Sequence, residues 1–165
     1  MLAQQFRINQ VSTAEEAERI VAFLLSDHSF DDTRYTPGEL VHFRELPYRA
    51  LKGELLFWYA EDASGQVVGI NCVAENEQQT GGFSWDYIVV HRHYRKSGVA
   101  ASLIEQMFLH MQAAGARYII TYTCDLPEYS RIRQLFERNG FALVGRCPDY
   151  YYKGEDRLIY YRKLV

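Results

Sequence analysis

The chain has 165 residues, of which 48% are hydrophobic and 24% are charged, a composition typical of one globular domain. Its formal net charge of -3 argues against a nucleic-acid binder, which normally carries a basic excess. No apolar run approaches the ~20 residues that span a bilayer, and the first ten residues lack a signal-peptide pattern. We therefore expect a single domain over residues 1–165, located in the cytoplasm, with neither membrane nor nucleic acid as a partner.

The cysteine and histidine residues do not favour a metal site. Cys72, Cys124 and Cys147 lie far apart and show no C-x-x-C spacing, so we expect reduced thiols. His91 and His93 are two residues apart, but no Cys, Asp or Glu stands beside them at ligand spacing. We therefore predict that the protein holds no metal.

Hydrophobic patterning predicts the element order β-α-α-β-β-β-α-β-α-β-β. The first strand is F-R-I-N-Q-V, and either Ser12 or Thr13 can cap the helix that follows. Pro37 is expected to open a second helix that reaches about Ala50, and Pro47 is expected to bend or end it. Three strands come next: L-L-F-W-Y-A-E-D and V-V-G-I-N-C-V-A-E as a hairpin, then F-S-W-D-Y-I-V-V.

The second half alternates helices and strands. The segment Y-R-K-S-G-V-A-A leads into a helix through about Ala114, which Gly115 is well placed to end. The strand R-Y-I-I-T-Y-T-C, the helix E-Y-S-R-I-R-Q-L-F-E-R and two antiparallel strands, F-A-L-V-G-R and D-R-L-I-Y-Y-R-K-L, complete the chain. The strands ending at Val90 and starting near Tyr118 should be parallel, because a helix connects them. We expect an α/β fold: an α+β mixed sheet, mostly antiparallel, with helices on both faces.

The junction at Y-R-K-S-G-V-A-A has the properties of an anion site. The first N–H groups of a helix lack internal partners, and the helix dipole also favours negative charge there. Gly98 lets an anion approach the main chain, while Arg95 and Lys96 add positive charge. Neither G-x-x-x-x-G-K-[ST] nor G-x-G-x-x-G occurs, which excludes the common nucleotide-binding loops. A turn with a solvated face is the alternative interpretation.

Two motifs resemble those of the GNAT superfamily of N-acetyltransferases. V-H-R-H-Y-R-K-S-G-V-A is similar to the acetyl-CoA signature V-x-P-x-Y-R followed by [Q/R]-x-x-G-x-[G/A], with Arg92 replacing the usual Pro. L-F-E-R-N-G-F fits the second signature, a helix ending in [Y/F]-E-x-x-G-F. The resemblance implies a GNAT-like fold with one splayed parallel strand pair, and an acyltransferase that moves acetyl from acetyl-CoA to a primary amine.

The resemblance also implies where acetyl-CoA binds. Main-chain groups of Ile88, Val89 and Val90 would pair with the pantetheine arm. Tyr129 aligns with an Asn that commonly contacts the cofactor at the start of the last helix. The amides that would hold the pyrophosphate are those of Arg95, Lys96, Ser97, Gly98, Val99, Ala100 and Ala101.

The resemblance assigns the catalytic base to Asp86, four residues before Val90, where the family often carries Glu. A structural carboxylate is the alternative role for Asp86, and Glu75 and Glu77 are reserve candidates for the base. The Tyr that often serves as general acid is replaced by Phe136. The side chains left as candidate acids are those of Tyr129, Ser130, Tyr122, Cys124, Tyr150, Tyr151 and Tyr152.

The sequence says little about the amine that accepts the acetyl group. In this family the loop H-S-F-D-D-T-R-Y normally forms part of the acceptor wall, and Asp31 and Asp32 could attract a cationic amine there. A solvated capping loop is the alternative. A small-molecule amine and a peptide amine both stay open as acceptors, as does a homodimer through the tyrosine-rich final strands. A competing hypothesis, favoured by Phe136, is an acyl-CoA-binding regulatory module without turnover.

Overall fold

The computed structural model describes residues 5–165 and confirms the predicted order of strands and helices. The strands are β1 (Phe6–Gln10), β2 (Leu56–Asp62), β3 (Val67–Glu75), β4 (Gly82–Val90), β5 (Tyr118–Cys124), β6 (Ala142–Tyr152) and β7 (Glu155–Lys163). The helices are α1 (Ala14–Leu24), α2 (Pro37–Leu51), α3 (Val99–Ala113) and α4 (Ser130–Arg138), with 3-10 turns at Arg92–Tyr94 and Pro127–Tyr129.

The seven strands form one mixed sheet in the order β1-β2-β3-β4-β5-β7-β6. β4 and β5 are parallel, with pairs from Gly82↔Tyr118 to Trp85↔Thr121. Strand pairs β1–β2, β2–β3, β5–β7 and β6–β7 are antiparallel. The predicted mixed sheet with a parallel pair joined through α3 is thereby confirmed.

By its internal contacts the chain forms two compact units. The first contains residues 5–74 and Tyr87–Met111, and the second contains Glu75–Asp86 and Gln112–Val165. The single domain over residues 1–165 stays a prediction. None of the helices between residues 5 and 165 is long and apolar enough to cross a bilayer.

In the first unit, α1 and α2 begin at threonine caps. The Thr13 side chain accepts the Glu16 amide at 3.2 Å, so Thr13 is the cap of α1. At the start of α2, the Thr36 side chain accepts the Glu39 amide and the Glu39 side chain accepts the Thr36 amide, which forms a capping box. Pro37 lies between them as the first residue of the helix. α2 ends at Leu51, one residue past the predicted limit near Ala50, and Pro47 lies buried inside it. Of the two alternatives for Pro47, it does not end the helix, and a bend stays a prediction.

The core of the first unit is a cluster of buried apolar side chains from α1, α2 and the strands. Pro47 is also buried, and burial of its apolar ring is favourable and opposes the cost of the lost helix hydrogen bond. The members of the cluster are Ile20, Phe23, Leu24, Phe43, Leu46, Leu55, Phe57, Tyr59, Val67, Ile70, Cys72 and Val89.

In the second unit, α4 packs on the sheet through aromatic rings. Phe136 is 3% exposed, and its ring centroid lies 5.4 Å from those of both Trp85 and Tyr160. Phe141 lies 5.5 Å from Trp85 on the same face. Aromatic contacts at these separations are favourable beyond the area they bury. Phe136 is therefore a core residue of this unit.

The Tyr118 ring packs directly against the main chain of Gly82, which has no side chain to block it. Gly82 and Tyr118 are the first pair of the parallel strands β4 and β5. A Cβ at Gly82 would overlap the end of that ring, whose hydroxyl accepts the Asn76 side-chain amide at 3.2 Å. We expect Gly82→Ala to lower the free energy of unfolding by about 1–3 kcal/mol, because Tyr118 must move away. Urea denaturation measures the change.

The control for Gly82 is a double-mutant cycle with Tyr118→Ala. In the Tyr118→Ala background the overlap is gone, so Gly82→Ala should cost far less than in the wild type. An equal cost in both backgrounds would contradict the explanation.

Candidate active site

The chain between β4 and α3 bends so that the first amides of α3 stay unpaired. Lys96 and Gly98 have positive φ angles of 66° and 89°, and the Ser102 amide makes its bond to the Gly98 carbonyl at 3.0 Å. Among residues 5–165, no carbonyl or side chain accepts a hydrogen bond from the amides of residues 98–101. These N–H groups, together with the positive end of the helix dipole, can bind an anion.

The approach to these amides is open. An added Cβ at Gly98 would meet nothing within 4 Å. Lys96 is exposed and has no partner among the described residues, so its ammonium group can turn toward an anion. The Ser97 hydroxyl donates to the Tyr94 carbonyl, which ties this residue into the bend. The arrangement fits a diphosphate, which needs closely spaced N–H donors and a nearby cation.

Arg95 has a second role that the sequence did not indicate. Its guanidinium donates to Asp31 at 2.7 Å and to the Ser29 carbonyl at 3.2 Å. Arg92 lies 4.0 Å from the same carboxylate, and Asp32 pairs with Arg34 at 3.3 Å. The two aspartates, which could attract an amine or belong to a solvated capping loop, are thus paired with arginines, and Arg95 holds the loop before α2.

Tyr94, the aromatic residue of the first signature, is anchored to the end of β2. Its hydroxyl donates to Asp62 at 2.7 Å, and the Ser64 hydroxyl donates to the same carboxyl group at 2.6 Å. The bond from Ser64, followed by that from Tyr94, lowers the pKa of Asp62 from its ordinary 3.8 to about 2. The carboxylate in turn raises the pKa of Tyr94. Asp62 therefore positions the segment that leads to α3.

This anchor makes stability depend on pH. Because the pKa of Asp62 is lower in the folded state, its carboxylate stabilises the fold above about pH 4, and the gain is lost as pH falls toward 2. We expect Asp62→Asn to lower the free energy of unfolding at pH 7, and the deficit to shrink between pH 4 and pH 2. Urea titrations across this range measure it. The same substitution at exposed Asp27 is the control, and a deficit that does not change with pH would contradict the assignment.

Asp86, the predicted base, is exposed on β4 and accepts the Ser84 hydroxyl at 3.0 Å. Trp85 pairs with Thr121, so Asp86 and Tyr122 are the next residues along the two parallel strands. Residues at matching positions of a parallel pair project to the same face. Asp86 and Tyr122 therefore belong to one face of this unit, opposite the face that Trp85 shares with α4.

The reserve candidates for the base are bonded within the turn between β3 and β4. Glu75 accepts the Gly81 amide at 3.0 Å, and Glu77 accepts the Gln78 side-chain amide at 3.0 Å. Both carboxylates thus shape the turn. Asp86, by contrast, lies on β4, one of the two parallel strands.

The candidate acids differ in their surroundings. Tyr129 is half-buried in the 3-10 turn that precedes α4, and Ser130 is the first residue of that helix. Cys124 is 5% exposed, and burial raises the pKa of its thiol. Tyr122 is half-buried under the guanidinium of Arg157, whose Cζ lies 3.7 Å from the ring centroid.

The histidines form an aromatic stack. His91 is 4% exposed, its ring lies 4.6 Å from that of His28, and its Nδ1 accepts the His93 amide at 3.2 Å. Burial, followed by the nearby His28 and His93, lowers the pKa of His91. Within residues 5–165, no three His, Cys, Asp or Glu side chains gather in a way that could hold a metal.

Residues 53–143 match the family described as "Acetyltransferase (GNAT) domain". A protein of the GNAT acetyltransferase family from Desulfovibrio desulfuricans is 20% identical, with a TM-score of 0.84 over 98% of this chain and 100% of that chain. The ribosomal-protein-S18-alanine N-acetyltransferase from Escherichia coli is 12% identical, with a TM-score of 0.75 over 98% and 95%. An aminoglycoside 6'-N-acetyltransferase complexed with coenzyme A is 15% identical, with a TM-score of 0.75 over 96% and 97%. No curated protein matches the sequence.

The family match covers more than half of the chain, and the fold agrees along nearly all of it. The family indicated by the two motifs, the acyltransferase class and acetyl-CoA as the cosubstrate are thereby confirmed. The open amides at the start of α3 agree with that cosubstrate. The chain belongs to the GNAT family of acetyltransferases.

Proposed function

We propose that this protein is an N-acetyltransferase that moves the acetyl group of acetyl-CoA onto the primary amine of a small molecule or a peptide. The observation that carries the proposal is the set of unpaired amides at residues 98–101 with an open approach at Gly98. The names of two similar structures, an aminoglycoside and a ribosomal-protein alanine N-acetyltransferase, are in line with an amine acceptor. The reaction would take place in the cytoplasm, and a homodimer stays a prediction.

In this proposal the diphosphate of acetyl-CoA accepts hydrogen bonds from the amides of residues 95, 96 and 98–101, and the Lys96 ammonium adds a charge-assisted contact. The Ser97 amide, predicted as a further donor, is bonded to the Tyr94 carbonyl at 3.3 Å. The Arg95 guanidinium supports the bend through Asp31. Main-chain groups of residues 88–90 would bond to the pantetheine arm, and Tyr129 would contact it from the start of α4.

The proposed chemistry is a direct attack. The amine nitrogen forms a bond to the thioester carbonyl carbon, the carbon–sulfur bond breaks, and the electron pair leaves with the thiolate. Asp86 takes the proton that the ammonium group loses before the attack, directly or through a water molecule. The second nitrogen proton, released as the tetrahedral intermediate collapses, restores the acid that protonates the sulfur or passes to water. Tyr122 or Tyr129 donates a proton to the sulfur, or coenzyme A leaves as the anion.

A second candidate, acyl-CoA binding without turnover, rests on Phe136. This residue occupies the usual position of the acid and is packed against Trp85 and Tyr160. It cannot donate a proton, so turnover needs another acid or a thiolate leaving group.

Two measurements test the proposal. Calorimetry with acetyl-CoA should show binding, and a thiol-release assay over a panel of amines and peptides should show turnover. Binding without turnover of any acceptor would favour the second candidate. Absence of acetyl-CoA binding would overturn both.

A further inference from the structure

Arg157 lies in a group of tyrosines on the second unit, which we call the tyrosine cluster: Tyr122, Tyr150 and Tyr151. The Arg157 Cζ lies 3.7 Å from the centroid of the Tyr122 ring and 4.4 Å from that of Tyr150. Tyr151 is further away, at 5.9 Å, and contacts the Tyr150 ring edge-on at 5.1 Å. Stacked aromatic rings hold a guanidinium in a fixed plane through cation–π attraction.

The Arg157 guanidinium has few hydrogen-bond partners for a partly buried arginine. Of its five N–H donors, one on Nη1 has a partner, the Tyr150 hydroxyl at 2.7 Å. Its Nε is buried and has no hydrogen-bond partner within residues 5–165. Arg157 also forms no ion pair with any described carboxylate, although partly buried arginines are normally paired.

Two of the nearby carboxylates, those of Asp125 and Asp156, are engaged with Arg146. Arg146 lies 3.1 Å from Asp125 and 2.6 Å from Asp156, and these two aspartates also accept main-chain amides near the turn of the β6–β7 hairpin. This network fixes the hairpin to the end of β5 without using Arg157. The Arg157 guanidinium is thus held by its ring stack, and within residues 5–165 it forms no salt bridge.

The position of the cluster connects it to the proposed reaction. Tyr122 lies next in register to Asp86, and Arg157 is opposite Cys124 on β7. Asp86, Tyr122 and Arg157 therefore lie on one face across β4, β5 and β7, and Arg157 is displaced two residues along the strands. Two strand spacings and this displacement separate Asp86 from Arg157 by roughly 12 Å. A ligand whose amine is at Asp86 could place an anionic group at Arg157.

We propose that Arg157, framed by the tyrosine cluster, is a specificity residue that binds a carboxylate of the acceptor, several bonds away from the amine that is acetylated. The inference rests on the proposed function, since it needs an acceptor amine at Asp86. A planar guanidinium pairs with a carboxylate through two parallel N–H bonds, which the free donors of Arg157 can supply. The half-exposed Tyr150 ring is the side chain that would move to admit the ligand.

The first test uses matched acceptors that differ in their charge alone: 6-aminohexanoate and 6-aminohexanamide, and triglycine and its C-terminal amide. We expect the wild type to prefer the carboxylate of each pair roughly ten- to a hundredfold in kcat/KM. Arg157→Gln should remove this preference, whereas Arg157→Lys should keep part of it. The same substitution at Arg138, exposed in the last turn of α4, is the control and should keep the full preference.

The second test needs no turnover and therefore separates this inference from the proposed function. In ¹⁵N-labelled wild-type protein, 6-acetamidohexanoate should shift the Arg157 Nε–H resonance, and 6-acetamidohexanamide should not. Acetyl-CoA binding, measured separately by calorimetry, reports on the proposed function. An unmoved resonance, equal shifts with both probes, or an unchanged preference in Arg157→Gln would overturn the assignment.

Discussion

We expect Asp86→Asn to lower kcat/KM by about 10²–10⁴-fold, the range that a positioned general base contributes. Asparagine keeps the size of the side chain and can still accept the Ser84 hydroxyl bond, so the strand should be preserved. It cannot take up the proton of the attacking ammonium group. Acetyl-CoA affinity should stay unchanged, because the proposed diphosphate contacts lie at the start of α3.

Thiol release with the best acceptor of the panel measures the rate, and calorimetry measures the affinity. Asp27→Asn is the matched control, since it makes the same change of charge at an exposed position. Undiminished turnover in Asp86→Asn would exclude Asp86 as the base. Loss of activity in Glu75→Gln or Glu77→Gln instead would transfer the role to the turn between β3 and β4.

We expect Gly98→Val to weaken acetyl-CoA binding by about a hundredfold or more. The valine side chain would occupy the open space through which the diphosphate reaches the amides of residues 98–101. Loss of two hydrogen bonds to a charged group, each about 1.5–3 kcal/mol, accounts for this effect. The φ angle of 89° also strains a β-branched residue, which lowers stability.

Gly53→Val separates strain from ligand blocking. Gly53 also has a positive φ, 77°, and open space around it, but it follows α2. The two variants should therefore lose similar stability in urea, and Gly98→Val alone should lose affinity. Wild-type affinity in Gly98→Val would remove the main support for the proposed diphosphate site.

Local patterns in the sequence were sufficient for the elements and for the family. Alternation along β4 and the apolar period of α3 depend on neighbouring residues, so they can be read from the chain. The motif at the start of α3 consists of Gly98 and the first residues of the helix, and both can be recognised from neighbouring residues in the sequence. For the same reason the two candidate caps, Ser12 and Thr13, indicated where α1 begins, and Pro37 indicated where α2 begins.

Contacts between side chains that are far apart in the sequence could not be predicted from local patterns. Arg95 was expected to face a phosphate, and the fold places its guanidinium on Asp31, 64 residues away in sequence. Pro47 was expected to bend or end α2, and the helix continues past it to Leu51 with the proline buried. Each outcome depends on which segments the fold brings together, and that information is not local.

The sequence by itself determined the order of strands and helices, the mixed sheet and the GNAT family, because these follow from short-range periodicity and from two compact motifs. Tertiary structure alone decided that Phe136 is a core residue, that Asp62 anchors Tyr94, and that Arg157 stacks on Tyr122 without a carboxylate partner among the described residues. The physical reason is that burial, pKa and ion pairing are set by atoms from distant parts of the chain, which meet only when the sheet has formed.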